Sequence, residues 1–255
     1  MSQQTLPPVP VADVTRIGPY FAFGSARVSE AAGWRPASEL LEDAGGLGRM
    51  IDDVGARLGT AERWIAASIF YQGWAARLTA IYAGSASACG AVPDLRAALV
   101  SYRFPPAGLV QLNVVPLHSL SPAAGWRAVR DGHLNPLATA IRRQVRVGGY
   151  LLAGNVGSAL AGALSMIAAR RQRPIGSLLR CHWAHPADLA ASGRWLRTPD
   201  GPRYARATCC GFELLDQGGR CGDCSLNWHG RCWPVLGWPV LAASEDTLGT
   251  GGART

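Results

Sequence analysis

Five of the seven cysteines are gathered between Cys209 and Cys232, and four of these fall in the pattern C-C-x10-C-x2-C: Cys209 and Cys210, then Cys221 and Cys224. Two residues between Cys221 and Cys224 let a tight turn bring both sulfurs to one metal. Gly222 gives that turn backbone freedom and leaves amide N–H groups free to face sulfur. The segment between the pairs, ending in Gln217-Gly218-Gly219, can double back so that four thiolates meet. Four thiolates in one place suit a structural zinc ion or an iron–sulfur cluster. The adjacent first pair is awkward for a single ion. Neighbouring side chains of an extended chain point to opposite faces, and zinc sites are usually built from C-x2-4-C halves. A group with two irons is larger and tolerates that separation. Spacing alone leaves both metals open and ranks a disulfide pair behind them.

Other reactive residues carry weaker signals. Cys232, close to Trp228 and Trp233 in sequence, reads as a small buried residue rather than a spare ligand. Cys89 and Cys181 sit in apolar helical surroundings and read as core. His182 and His185 have i, i+3 spacing but no acidic neighbour to complete a metal site. His133, beside a helix start, reads as hydrogen-bonded rather than substrate-facing. Arg203, Arg206, Arg220 and Arg231 flank the cysteines and read as exposed charges or as counter-charges for an anionic thiolate group.

These residues need elements to hold them. The first 20 residues are Pro-rich and read as irregular. Residues 36–58 carry two short helical patterns broken at Gly45-Gly46. Thr60 reads as the N-cap of a long helix that buries one face through Trp64, Ile65, Ile69, Trp74, Leu78 and Ile81, and runs out near 85–90. Leu109–Val115 alternates and reads as a strand. Asn135 reads as an N-cap, with Pro136 at the first position of a helix to about Val147; a second helix covers roughly 151–171. After Pro186 the character changes. Arg194–Thr198, a turn at Pro199–Pro202 and Arg203–Thr208 read as strand, turn and strand, and Phe212–Leu215 as a further short strand. The expected fold is α+β. It has an irregular segment (1–20), a helix-rich body (21–190), a β-hairpin and turn-rich metal-binding module (191–242), and a tail (243–255) whose few apolar anchors predict disorder.

Hydrophobic residues make up 48% of the chain, enough for a sizeable core, and charged residues only 16%. All 25 basic residues are arginine, and the net charge is +8. The arginines are spread along the chain rather than forming a stripe, and no recognition motif accompanies them, which speaks against nucleic acid as a partner. Residues 147–169 are uncharged and long enough to span a bilayer, but five glycines and Asn155, Ser158 and Ser165 make a buried core helix the better reading. The start of the chain lacks a charged segment followed by an apolar run. With clustered cysteines, this gives a cytoplasmic reading.

The cysteine pattern, with its second half written Cys221-Gly222-Asp223-Cys224, resembles the C-terminal signature of the FhuF-type ferric-siderophore reductases. The close match covers about residues 203–226. The body is similar more loosely, in His133–Leu137 and the helix that carries Asn155. The resemblance implies a [2Fe–2S] cluster on Cys209, Cys210, Cys221 and Cys224, with the body binding substrate. It implies one-electron reduction of Fe(III) to Fe(II), releasing iron from a siderophore in the cytoplasm. Fe(II) is held far more weakly by hard oxygen donors, so one electron suffices. The implied partners are a ferric siderophore of hydroxamate type and an electron donor such as a ferredoxin or a reduced flavin system, with peripheral contact with the inner membrane left open. Two alternatives stand beside it: a zinc-stabilised binding module, and an iron–sulfur redox sensor, for which no helix-turn-helix is found.

Overall fold

The computed structural model describes residues 6–105, 108–182, 189 and 191–228. Among them run helices α1 (Val11–Thr15), α2 (Glu39–Glu42), α3 (Ala44–Leu58), α4 (Arg63–Cys89), α5 (Pro122–Val129), α6 (Asn135–Gln144), α7 (Gly149–Arg171) and α8 (Ile175–His182). The strands are β1 (Arg35–Pro36), β2 (Val92–Pro93), β3 (Val100–Arg103), β4 (Gln111–Val114), β5 (Ser119–Leu120), β6 (Gly193–Thr198) and β7 (Gly201–Arg206). The strands form small antiparallel sheets in the orders β1-β3-β4, β2-β5 and β6-β7. Helix with small sheets is the mixed architecture the sequence predicts.

α4 is the axis. Ile65, Phe70, Trp74, Leu78, Ile81 and Tyr82 are all buried, as are Ala66, Ala67, Ala75 and Ala83 between them. A helix that is apolar all round belongs inside the core, so the one-faced burial expected from periodicity is too narrow. α7 packs along α4 through Leu152, Leu160, Leu164 and Ile167. It is long and apolar enough to cross a membrane, with mean hydropathy 1.6, yet 67% of its most apolar window is buried inside the fold. That is the behaviour of the core helix expected for this stretch.

Element boundaries follow side chains other than those the sequence suggested. The break between α2 and α3 falls at Asp43, whose carboxylate accepts from the Gly46 N–H at 2.9 Å; Gly45 and Gly46 form the first turn of α3. Thr60 does not cap α4. Its hydroxyl accepts from the Glu62 N–H at 3.1 Å in the preceding turn, and Glu62 is the N-cap without a side-chain bond. Asn135 does not cap α6 either. A π-helical turn over Arg130–Leu134 carries α5 directly into α6, so Asn135 is already helical and donates to Asp131 at 3.3 Å. The expected strand is realised as β4, paired with β3 so that Leu112 faces Tyr102. The N-terminal segment holds α1 and a short 3-10 turn over Pro19–Phe21. The 3%-exposed guanidinium of Arg77 ties it down. Its Nε donates to the Val110 carbonyl (2.9 Å), Nη1 to Pro19 (2.8 Å) and Tyr20, and Nη2 to Ala22. Burial lowers the Arg77 pKa to about 10, and these carbonyls compensate the charge that persists at neutral pH.

The expected strand–turn–strand is present as the β6–β7 hairpin, with Gly193 opposite Arg206 and Thr198 opposite Gly201. It lies directly on α7, and glycines make the approach possible. A Cβ at Gly157 would overlap Ser192 Oγ and Tyr204 Oη, and one at Gly154 would overlap Thr208 Oγ1. Ser192 and Tyr204 share a 2.8 Å hydrogen bond, and the Tyr204 and Trp195 rings meet at 5.5 Å.

Candidate metal centre

The segment after β7 carries the first cysteine pair and turns at Gly211. Its φ of +90° is left-handed, and a Cβ there would come within 2.9 Å of the Trp64 ring at the start of α4. Glycine is needed on both counts. The Gly211 N–H donates to Cys209 Sγ at 3.4 Å. The special backbone therefore sits at Gly211. Gly222, expected in that role, is exposed and has no left-handed φ. Phe212–Leu214 forms a 3-10 turn and not a strand: the Leu214 N–H reaches back to the Gly211 carbonyl (3.0 Å), and Gly218 N–H to Leu215 (2.9 Å). A strand would carry the chain away from Cys209 and Cys210, whereas successive turns bring it back. Gly218 lies so close to the Phe212 carbonyl that a Cβ would overlap it. The second pair closes with the Cys224 N–H on the Cys221 carbonyl (3.0 Å), which also accepts from Asn227 Nδ2 at 2.8 Å.

The donor atoms of Cys209, Glu213 and Cys224 lie within 4.8 Å of one another. The Cys210 and Cys221 thiols interact directly. Each member of the first pair thus faces one member of the second. The returning loop supplies a partner for each of the adjacent cysteines. Cys210 and Cys224 are buried, while Cys209 and Cys221 are half-buried, and all four are free thiols. The neighbouring Cys221 thiol, aided by the Phe212 N–H and the Arg206 charge, pulls the Cys210 pKa below the usual thiol range; the same thiol contact and burial push Cys221 up. Burial, opposed by the Gly211 N–H, raises Cys209.

Arg206 is 2% exposed and is not the surface charge expected of an arginine beside the motif. Its Nη2 donates to Asn155 Oδ1 on α7, and Asn155 Nδ2 in turn donates to the Ser68 carbonyl (2.9 Å) and Oγ (3.1 Å) on α4. Among the described residues its Nε and Nη1 have no hydrogen-bond partner. Arg203 and Arg220 are exposed as expected, and Arg220 Nε pairs with Glu213 Oε1 at 2.6 Å. Glu213 Oε2 is buried without a hydrogen-bond partner among the described residues. Glu213 was not flagged from sequence, although it lies within the cysteine loop four residues after Cys209.

Four free thiols in facing pairs, beside a buried guanidinium with N–H groups to spare, form a donor set for a soft metal or an iron–sulfur cluster. A two-iron cluster fits, since each iron can take one facing pair.

The remaining flagged residues lie elsewhere. His133 is fully buried, its Nε2 accepting from Trp74 Nε1 (2.9 Å) and its Nδ1 facing the Leu95 carbonyl (2.8 Å). Indole only donates and a carbonyl only accepts, so Nδ1 carries the proton. His133 is the hydrogen-bonded residue expected. Cys89 is half-buried at the end of α4 rather than core, its thiol directed at the Ser85 and Ala91 carbonyls (both 3.5 Å). Cys181 and His182 are on α8. His185, Arg231, Cys232, Trp233 and the 243–255 tail lie outside the described residues. No protein-family model matches the chain, and no curated protein matches it.

Proposed function

We propose that the chain is a cytoplasmic ferric-siderophore reductase, holding a [2Fe–2S] cluster on Cys209, Cys210, Cys221 and Cys224. The observation that carries this reading is the cross-pairing of the four thiols, Cys209 with Cys224 and Cys210 with Cys221. When bound, the cluster supplies one electron at a time, at a potential set by hydrogen bonds, charge and exposure around its sulfurs. The Gly211 N–H orients Cys209, and Gly218 lets the loop close. Cys210 and Cys224 face the protein interior and exclude water on that side. Cys209 and Cys221 form the accessible edge, where a ferric hydroxamate and an electron donor (ferredoxin or reduced flavin) can approach. The bound Fe(III) gains one electron, and Fe(II) leaves because hard oxygen ligands hold it weakly. A cavity of about 710 Å³ in the body, lined by Tyr20, Phe23, Trp34 and Arg77, is a poor site for this step. Arg77 lies about 20 Å along α4 from Trp64, which abuts the cysteine loop.

One observation favours the zinc alternative: Glu213 joins Cys209 and Cys224 in a three-donor group that could hold a single ion. That arrangement leaves Cys210 and Cys221 without a role. The deciding experiment mixes dithionite-reduced, desalted protein with a ferric hydroxamate and an Fe(II)-specific chelator in stopped flow. The reading predicts one Fe(II) trapped per electron lost by the protein, on the time course of its visible reoxidation. Fe(II) formation no faster than in a protein-free control would rule it out.

A further inference from the structure

We infer that Arg206 is a positioning residue that sets the reduction potential of the cysteine-held cluster, through a buried positive charge that Asn155 and Ser68 hold in place. The inference rests on the cluster reading above.

Its basis is the cost of the arrangement. Burying a guanidinium without pairing it is expensive, and proteins rarely leave its N–H groups idle. Arg206 is 2% exposed, has Nε and Nη1 unpartnered, and forms no ion pair among the described residues. Among the described residues its one side-chain hydrogen bond goes to a neutral amide, Asn155, itself fixed by two bonds to Ser68. Two core helices thus orient the charge without neutralising it. The backbone places the charge well: the Arg206 N–H donates to the Asp223 carbonyl at 3.0 Å, joining the end of β7 to the second cysteine pair. The charge acts on Cys210 and on Cys221, one facing pair of sulfurs, and at Cys221 it is opposed by the half-buried Asp223 carboxylate, which makes no ion pair with it among the described residues.

Such a charge has a defined effect. Four thiolates around two irons make an anionic group, and gaining an electron makes it more so. A fixed positive charge in a low-dielectric setting favours the reduced form and raises the potential. Taking the charge away leaves the oxidised form favoured. The electron still passes from donor to cluster to Fe(III), and only its equilibrium position moves.

The test is a spectroelectrochemical titration of the holoprotein. Arg206→Gln is expected to lower the midpoint by at least tenfold in the redox equilibrium constant, about 59 mV for one electron. Arg206→Lys keeps the charge and is expected to restore most of that shift. Asn155→Asp keeps the shape and offsets the charge with a carboxylate, to which the Ser68 hydroxyl can turn and donate. It is expected to shift the midpoint in the same direction, and where Arg206→Gln does not fold, Arg206→Met, which removes the charge without adding another, decides the matter. Midpoints unchanged from wild type in folded, cluster-bearing variants overturn the role of Arg206 and leave the cluster standing. A colourless wild-type protein overturns both.

Discussion

The His133 site makes the stability of this protein acid-sensitive in a way that can be isolated. The ring is fully buried, with its acceptor nitrogen committed to the Trp74 N–H and its proton to the Leu95 carbonyl. Protonating Nε2 would set two N–H groups against each other in the core. Burial accordingly lowers the pKa from 6.5 to about 4. In the unfolded chain the same imidazole takes a proton as pH falls below 6.5. The stability tied to this shift is complete above pH 6.5 and is lost as pH falls from 6.5 towards 4. A displacement of that size corresponds to about 3 kcal/mol in full, of which about 2 kcal/mol is lost between about pH 7.5 and 5. His133→Gln keeps one donor and one acceptor but cannot titrate. Urea unfolding of wild type and variant over this pH range isolates the effect as a difference, because all other titrating groups are shared. The advantage of wild type over the variant should shrink by about 2 kcal/mol on going from about pH 7.5 to 5. Parallel stability curves would refute the reasoning, since they would mean that His133 titrates alike in both states.

Four further outcomes are expected. Gly157→Val drives a side chain into Ser192 and Tyr204 and should cost about 1–3 kcal/mol by thermal or urea unfolding. Gly162→Ala, on the same helix with open space around it, should be neutral or stabilise by up to about 1 kcal/mol. Arg77→Met leaves the Pro19, Tyr20, Ala22 and Val110 carbonyls without their donor. It should cost about 3 kcal/mol or more and expose the segment before Phe23 to limited proteolysis. Cys221→Ser should lose bound metal and visible absorbance, whereas Cys89→Ser, remote from the site, should retain both as judged by metal analysis.

What was legible in the sequence was what is local. The cysteine pattern spans sixteen residues from Cys209 to Cys224, so spacing alone could propose that they meet. The lengths of α4 and α7 and the β6–β7 hairpin were likewise readable from apolar runs and a Pro-Asp-Gly-Pro turn. Caps were misplaced because Thr60 and Asn135 have the right chemistry, while the chain geometry gives Thr60 a turn and passes Asn135 through a π-helical turn. Phe212–Leu215 was misread because four residues cannot separate a strand from a 3-10 turn, and the need to return to Cys209 decided for the turn. Arg206 was illegible as a buried group because its partner Asn155 is 51 residues away, joined only when the hairpin docks on α7. The same docking explains Gly154 and Gly157, which the sequence shows only as two of the five glycines in an uncharged stretch.

The central claim is tested most directly by the metal itself. The chain would be purified without oxygen, its visible spectrum recorded, and its iron, acid-labile sulfide and zinc measured per chain. The account predicts a red-brown protein with about two irons and two sulfides, bleached by dithionite and recoloured by a ferric hydroxamate. A colourless protein carrying a single zinc ion would contradict it.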